Sequence, residues 1–261
     1  MSQLFKRKIE VSIGNKKWTY PELEIGFTVK FDTTSIPCEA DVSIFNLSDD
    51  SVAQITTGQP IVLSAGYEGD IGTILDGVIS DASLEKNGTD RELKIKAYNV
   101  SDQYLGKQIA YTYGADADSE YLIRDVLKYV GLTPNILELK NPQVYQLGFA
   151  AYGSIKSVLE QLAGDADSKV IINNSSIKIV PENGGEELGF LLNYKSGLLD
   201  ISTIDKTDTP AKYKVKTMLI HAINSYTIIK VESNTFNGLA IVADGQHSSS
   251  NFTSEFEIVP L

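Results

Sequence analysis

A chain of 261 residues with 42% apolar content can bury two modest cores or one large one. Its 34 acids against 23 bases leave a net charge of −11, which argues against a nucleic-acid grip, because phosphate binding needs a basic face. No apolar run reaches the ~18 residues of a membrane helix, and the single cysteine, Cys38, excludes an intrachain disulfide, in keeping with a reducing cytoplasm. The start, Met1-Ser2-Gln3-Leu4-Phe5-Lys6, lacks the apolar core of a signal peptide. Synthesis as a soluble cytosolic chain is expected, with no membrane insertion; Lys6-Arg7-Lys8 is too short a basic run for an anionic membrane and caps the first strand.

Residues 1–105 alternate apolar and polar. Ile9-Val11-Ile13, Ile25-Phe27-Val29-Phe31, Ala40-Val42-Ile44, Ile61-Val62-Leu63, Ile74 to Ile79 and Leu93-Ile95-Ala97 read as short strands with one wet face. Between them, Asn46 to Ile55 reads as one or two capped helical turns. Such strands with a small helix predict a closed or nearly closed β-barrel. From residue 106 the period changes. Asp118-Ser119-Glu120 caps a predicted helix over Tyr121–Val130, stopped by Gly131. A second helix is predicted over Ser154–Ala163, ended by Gly164. A hairpin follows, Lys169–Ile172 and Ser176–Val180, with its turn at Asn173-Asn174. Residues 106–187 thus form a small α+β insert.

From residue 188 the strand period returns. Phe190–Leu192, Gly197–Leu199, Tyr213–Val215, Met218–Ile220, Tyr226–Val231, Ala240–Val242 and Phe252–Ile258 are predicted strands, with Asn237-Gly238 as a turn between two of them. Residues 188–261 read as a second barrel, in part or whole, with strands of the insert available to complete it. The chain is mainly β, α+β overall: two barrels flanking an insert, with no sequence repeat between the barrels.

A search for chemistry singles out no catalytic, metal-binding or cofactor-binding residue. His221 falls in the predicted strand Met218–His221 and reads as a structural barrel residue; His247 falls in the polar run Asp244–Ser250 and reads as a surface loop. The serines beside His247 lack the G-x-S-x-G elbow of a hydrolase nucleophile. Cys38, after Pro37, has no basic neighbour and reads as a buried thiol. Asp-Ala-Asp-Ser occurs at 116–119 and again at 165–168, but neither copy continues as a calcium loop. Helix capping explains the first and a helix-to-strand turn the second. Gly66 to Gly72 does not have the spacing of a dinucleotide fingerprint. Nothing among the 34 acids picks out a glycosidase pair.

One resemblance runs along nearly the whole chain. Ala40 to Ser48, the short helix, Pro60–Leu63, Ala65-Gly66-Tyr67-Glu68-Gly69 and Leu75-Asp76-Gly77-Val78-Ile79 resemble the opening barrel of baseplate (tail) hub proteins of phage tails and related contractile injection particles. Gly238–Val242, Gly245-Gln246-His247-Ser248 and Phe252–Ile258 resemble the closing barrel of the same family. The resemblance implies two tail-tube-like barrels per chain and a homotrimeric ring joining the tail tube to the central spike or tip. It implies a structural virion protein of the tail tip or baseplate, made in the bacterial host cytoplasm, lining part of a DNA or effector channel. The implied partners are further copies of itself, the tail tube or distal tail protein, the spike or tip protein and the tape-measure protein. Sequence-specific nucleic-acid binding, cofactors and enzyme activity are not expected, and since the chain stops at Leu261, wall cutting is expected of another protein. The excess of acids is expected partly to line the lumen and repel passing DNA.

Two other classes compete. Thirteen tyrosines and Trp18 could serve a carbohydrate-binding or receptor-binding β-protein, although Tyr98, Tyr213 and Tyr226 sit at strand positions where packing is the commoner role. An exposed aromatic cluster on one face would favour that reading. A peptidoglycan hydrolase with unrecognised carboxylates is the third class, and a wall-clearing assay separates it.

Overall fold

The computed structural model describes residues 6–32, 39–99, 106–173, 176–181, 184–204 and 210–261. The chain divides into two compact units, one of residues 1–99 with 186–261 and one of residues 100–185. The larger unit begins with β1 (Arg7–Ile13), β2 (Lys16–Tyr20), β3 (Ile25–Phe31), β4 (Glu39–Phe45), the short helix α1 (Asp49–Ala53), β5 (Pro60–Tyr67), β6 (Asp70–Asn87) and β7 (Asp90–Asn99). It resumes with β15 (Glu186–Leu192), β16 (Leu198–Thr203), β17 (Tyr213–Met218), β18 (Thr227–Glu232), β19 (Asn237–Ser248) and β20 (Thr253–Pro260).

All thirteen of these strands join one sheet, ordered β16-β17-β20-β19-β3-β4-β7-β6-β5-β1-β2, with β18 on β19 and β15 on β18. Every ladder is antiparallel except β15 on β18. Among the described residues no ladder joins β2 back to β3, so the hydrogen-bonded path is open. The period-2 pattern does the folding work. Ile9, Val11 and Ile13, then Ile25, Phe27 and Val29, then Val42, Ile44, Leu93 and Ile95 bury one face, leaving polar neighbours on the other. Helix α1 has no fully buried residue, although its half-buried Val52 packs on this core. Ser48 caps it by accepting from the Ser51 N–H, and the buried Leu47 and Ile55 on either side tie it down.

A second core gathers Leu192, Leu198, Ile201, Val215, Ile229, Val231, Ala240, Val242, Phe256 and Ile258 with Phe31. The two cores exchange residues. Phe31 of β3 belongs to the second, whereas Leu219 and Phe252, from the C-terminal strands and their loops, belong to the first.

The smaller unit runs β8 (Gln108–Tyr113), β9 (Ala117–Asp118), α2 (Ser119–Tyr129), β10 (Ile136–Leu137), β11 (Val144–Tyr145), β12 (Phe149–Ser154), α3 (Ile155–Asp165), β13 (Ser168–Asn173) and β14 (Ser176–Pro181). Helix α2 starts where Asp118 accepts the Tyr121 N–H, buries Leu122, Ile123, Val126 and Leu127, and ends at Gly131, whose φ is +74°. Ser154 caps α3. Gly164, however, does not end α3. The helix continues through Asp165, and Asp167 takes the left-handed conformation at φ +50°, which the short Asp side chain tolerates. The predicted hairpin is β13–β14, but Asn173, expected in the turn, ends β13 and pairs with Ser176; positions 174 and 175 lie outside the described residues.

Three further differences from the sequence reading concern the C-terminal strands. Asn237-Gly238 is no turn: both residues begin β19 and pair with Glu232 and Val231. The chain reverses instead over Ser233–Phe236, where the Ser233 hydroxyl gathers the Thr235 and Phe236 N–H groups. The strand containing Met218 stops there, which puts His221 in a turn. His247 lies inside β19 and is fully buried, in contrast to the surface loop expected from its polar neighbours. Strands β2, β8 and β12 had no counterpart in the sequence pattern.

Candidate functional site

The larger unit converges on β19, which is shared between its two strand sets. On one edge β19 pairs with β20 along most of its length. On the other, Asn237–Ile241 pair with β18 and Gly245–Ser248 pair with β3. A register shift between Val242 and Gly245 marks the changeover. A Cβ on Gly245 would lie 2.6 Å from the Glu255 carbonyl oxygen, the Phe256 Cβ and the Phe31 Cζ, so only glycine lets Phe31 reach across. Gly245→Ala is therefore expected to cost about 1–3 kcal/mol by overpacking. In the same melting experiment, Gly164→Ala, in a helix and with nothing within 4 Å of the added Cβ, should cost nothing and gain stability. Equal melting temperatures for the two variants would refute the strain at Gly245.

Two residues further along β19, His247 is held at both ring nitrogens. Nε2 lies 3.0 Å from the Ile223 carbonyl, which can only accept, so the proton is assigned to Nε2. Nδ1 then accepts from the Ser254 hydroxyl at 2.8 Å, and that Oγ in turn accepts the Ile220 N–H at 3.2 Å. The Phe31 ring packs on the imidazole with centroids 5.0 Å apart. Burial pushes the His247 pKa down to about 4, the Ile223 carbonyl opposing only in part. A serine hydrogen-bonded to a histidine that a third group orients is the arrangement of a nucleophile and its base. Here both side chains are completely buried, so no carbonyl substrate can reach Oγ. The pair instead pins β19, β20 and the loop before β18 by satisfied hydrogen bonds.

His221 makes a second tie. Its Nε2 lies 2.9 Å from Asp70 Oδ1, at the tip of the β5–β6 hairpin. The ring covers Gly72, where a Cβ would come within 2.2 Å of Nδ1. Phe252, at φ +56°, is a third. Its ring meets Tyr67 edge-on at 5.3 Å and Phe27 at 6.5 Å, and the Arg7 guanidinium lies 5.3 Å from its centroid.

The solvent face over this junction carries an open cleft of about 400 Å³, whose rim is Lys30, Asp32, Lys214, Asp244, Glu255 and Glu257. Lys216 lies 2.7 Å from Glu255 and Lys214 3.8 Å, and the Lys216 hydrogen bond is the main cause holding the Glu255 carboxyl below its usual range. With both signs interleaved, the rim suits a polar contact rather than one small charged ligand.

Both Asp-Ala-Asp-Ser copies lie in the smaller unit and hold the same segment of chain. Ser119 Oγ accepts the Gln143 N–H and Ser168 Oγ the Lys140 N–H, while Asp165 accepts the Tyr145 hydroxyl at 2.8 Å. Burial first, then that carboxylate, pushes the Tyr145 pKa up. These serine and aspartate side chains are clamps on residues 140–145. Among the described residues no three His, Cys, Asp or Glu side chains are placed to hold a metal ion, and no helix is long and apolar enough to cross a membrane. Cys38 lies outside the described residues. Trp18 and Tyr213 are half-buried packing residues, the latter 4.9 Å from Phe236. Tyr226 is half-buried at φ +63° and Tyr98 is partly exposed. Among the described residues the most exposed tyrosines, Tyr152 at 84% and Tyr129 at 66%, belong to the smaller unit, as do Tyr111 and Tyr121.

This fold is shared with solved tail proteins of phage type. The tail protein from Neisseria meningitidis MC58 is similar with a TM-score of 0.69 at 8% identity, over 97% of this chain and 96% of that one. The 43 kDa tail protein of prophage MuSo2 from Shewanella oneidensis has a TM-score of 0.69 at 10% identity, over 98% of each chain. The E. coli c3393 protein, a type VI secretion component with structural similarity to the T4 tail proteins gp27 and gp5, has a TM-score of 0.64 at 10% identity, over 96% of this chain and 76% of that one. No family model and no curated protein matches the sequence. The likeness is therefore one of fold.

Proposed function

We propose that this chain is a structural protein of a phage-type tail tip, a baseplate hub ring that joins the tail tube to a central spike and lines part of the channel. The observation that carries this reading is the fold likeness to tail proteins along almost the entire chain. In this reading two tube-like barrels, 1–105 and 188–261, flank the insert 106–187, and three copies close head to tail into a ring. The tail tube or distal tail protein, the spike or tip and the tape-measure protein are its neighbours. It needs no cofactor and performs no catalysis. The inaccessible Ser254–His247 pair is consistent with a scaffold whose polar groups serve packing. The relatives' names suggest the tail of an infectious phage, a prophage particle or a contractile secretion device as its location.

One observation favours a second reading, a carbohydrate-binding or receptor-binding β-protein. Tyr111 and Tyr121, each more than half exposed, flank Tyr113 with ring centroids 4.8 and 6.2 Å away, and flat amphipathic rings of this kind suit sugar stacking. Immunogold electron microscopy of particles released after prophage induction separates the two. Gold at one end of the tail is the expected result. Antigen free in the lysate, with intact and partly disassembled particles unlabelled, would overturn the hub and leave the binding protein.

A further inference from the structure

Strands β8 and β12 form a two-stranded ribbon that pairs with no other strand among the described residues. Its register runs from Gln108 opposite Ser154 to Tyr113 opposite Phe149. The Ile155 N–H donates to the Lys107 carbonyl at 2.9 Å, which makes 107 and 155 a hydrogen-bonded pair and fixes the alternation beyond it. Residues 109, 111 and 113 therefore exchange their bonds with 153, 151 and 149. The N–H and C=O groups of Gln108, Ala110 and Thr112 point away from β12, and those of Ala150, Tyr152 and Ser154 point away from β8. The Ser154 carbonyl, at the N-cap of α3, is taken by the first turn of that helix; no other backbone group is bonded to the outward groups of Gln108, Ala110, Thr112, Ala150 and Tyr152 among the described residues. Ala110, Thr112, Ala150 and Tyr152 are also exposed at the side chain.

Sheet edges are usually blunted by charge, proline or a bulge. The two strands read Gln-Ile-Ala-Tyr-Thr-Tyr and Phe-Ala-Ala-Tyr-Gly-Ser, with no charged residue and no proline, and their ladder shows no register shift. This undefended pair of edges occurs in a chain of net charge −11. Two copies carry the same net negative charge, so a contact between them is best built on an uncharged patch. The β8 and β12 sequences are compatible with each other, since they already pair within one copy.

We propose that the free edge of β8 in one copy pairs with the free edge of β12 in a second copy of this chain, extending the ribbon from molecule to molecule. The contact is heterologous, so each copy keeps one edge to give and one to receive. It rests on the ring reading for its closure, and on the ribbon alone for its existence. Tyr111 and Tyr152 then gain cross-strand neighbours in place of solvent.

The test combines sedimentation velocity with amide hydrogen exchange on the full chain. The wild type is expected to self-associate as concentration rises, with slowed exchange at residues 108, 110 and 112 and at 150, 152 and 154. Ala110→Pro blocks the β8 edge and Ala150→Pro the β12 edge, each at an outward N–H where an edge strand tolerates proline. Each variant alone should be monomeric, while an equimolar mixture should form dimers and nothing larger, through the one intact pair of edges. Circular dichroism and melting check folding, and Ala110→Lys replaces any proline variant that unfolds. If the wild type oligomerises while the ribbon amides exchange freely and the variants assemble normally, the ring stands and this contact is wrong. Retained dimers in Ala150→Pro alone would also overturn it, because they signal β8 pairing with β8. A wild type monomeric at every concentration overturns it too, leaving the hub reading to the gold labelling.

Discussion

Lowering the pH from 7 to 4 is expected to remove about 3 kcal/mol of unfolding free energy from the larger unit through His247 alone. The imidazole is pushed down to about 4 by burial in the folded protein and returns to about 6.5 when the chain unfolds. Between those values the unfolded state holds a proton that the folded state refuses, so stability falls as pH falls. The difference of roughly 2.5 pKa units, at about 1.36 kcal/mol each, sets the size. The sign is opposite to that of a histidine held charged by a partner. The carboxylates of Glu68 and Glu255, both held low by lysines, contribute stability that is lost only at lower pH. The window between about 6.5 and 4.5 therefore reports His247. Urea midpoints across that window would check it, since a flat profile means that the imidazole is solvated or paired with an acid.

Phe252→Ala is expected to destabilise the same unit by about 3–5 kcal/mol, the usual cost of removing a buried phenylalanine. The ring is 2% exposed and belongs to the core formed mainly by residues 1–99, although it comes from the loop between β19 and β20. The loss should therefore appear as one earlier cooperative transition shared by β1–β7 and β15–β20. Phe252→Leu should recover part of it. Hydrogen exchange resolved by residue supplies the check. Faster exchange confined to β19 and β20, with β1, β4 and β7 unchanged, would mean that the first strand set holds together without its plug.

The local parts of this fold were legible because aliphatic residues recur on one face. Val11, Val42, Ile44, Leu93 and Ile95 announced their strands by alternation, and Asp118 with Gly131 bracketed α2 by known cap chemistry. What was hidden was long-range. Nothing near Phe31 says that it will pair with Gly245, because a ladder between distant strands has no local period. After the register shift in β19 the inward positions are Gly245 and His247, a missing side chain and a polar one, so the strand looks like a polar loop. Phe252 reads as a strand residue beside Phe256, yet its positive φ turns it into the other core. Ser254 was invisible as a partner of His247 for a simpler reason. Serines 248–250 are adjacent in sequence, whereas an antiparallel hairpin brings residue 254 opposite 247. In the smaller unit the twin Asp-Ala-Asp-Ser copies were read correctly as cap and turn, but the segment they jointly hold, residues 140–145, carries no pattern of its own.

The pairing of β3 with β19 has a consequence for how the protein is made. From Phe31 to its partner Gly245 the ribosome must add 214 residues, which at ~5–20 residues per second takes roughly 10–40 s. During that interval β3 waits without its second neighbour, and the slot for Phe252 stays empty. Among the described residues the unit of residues 100–185 has all its ladders within its own span and can finish folding while the earlier strands are still incomplete. The usual order of synthesis, in which what emerges first folds first, is thereby reversed. A nascent chain stalled before β19 presents an exposed strand edge for which chaperones and aggregation compete.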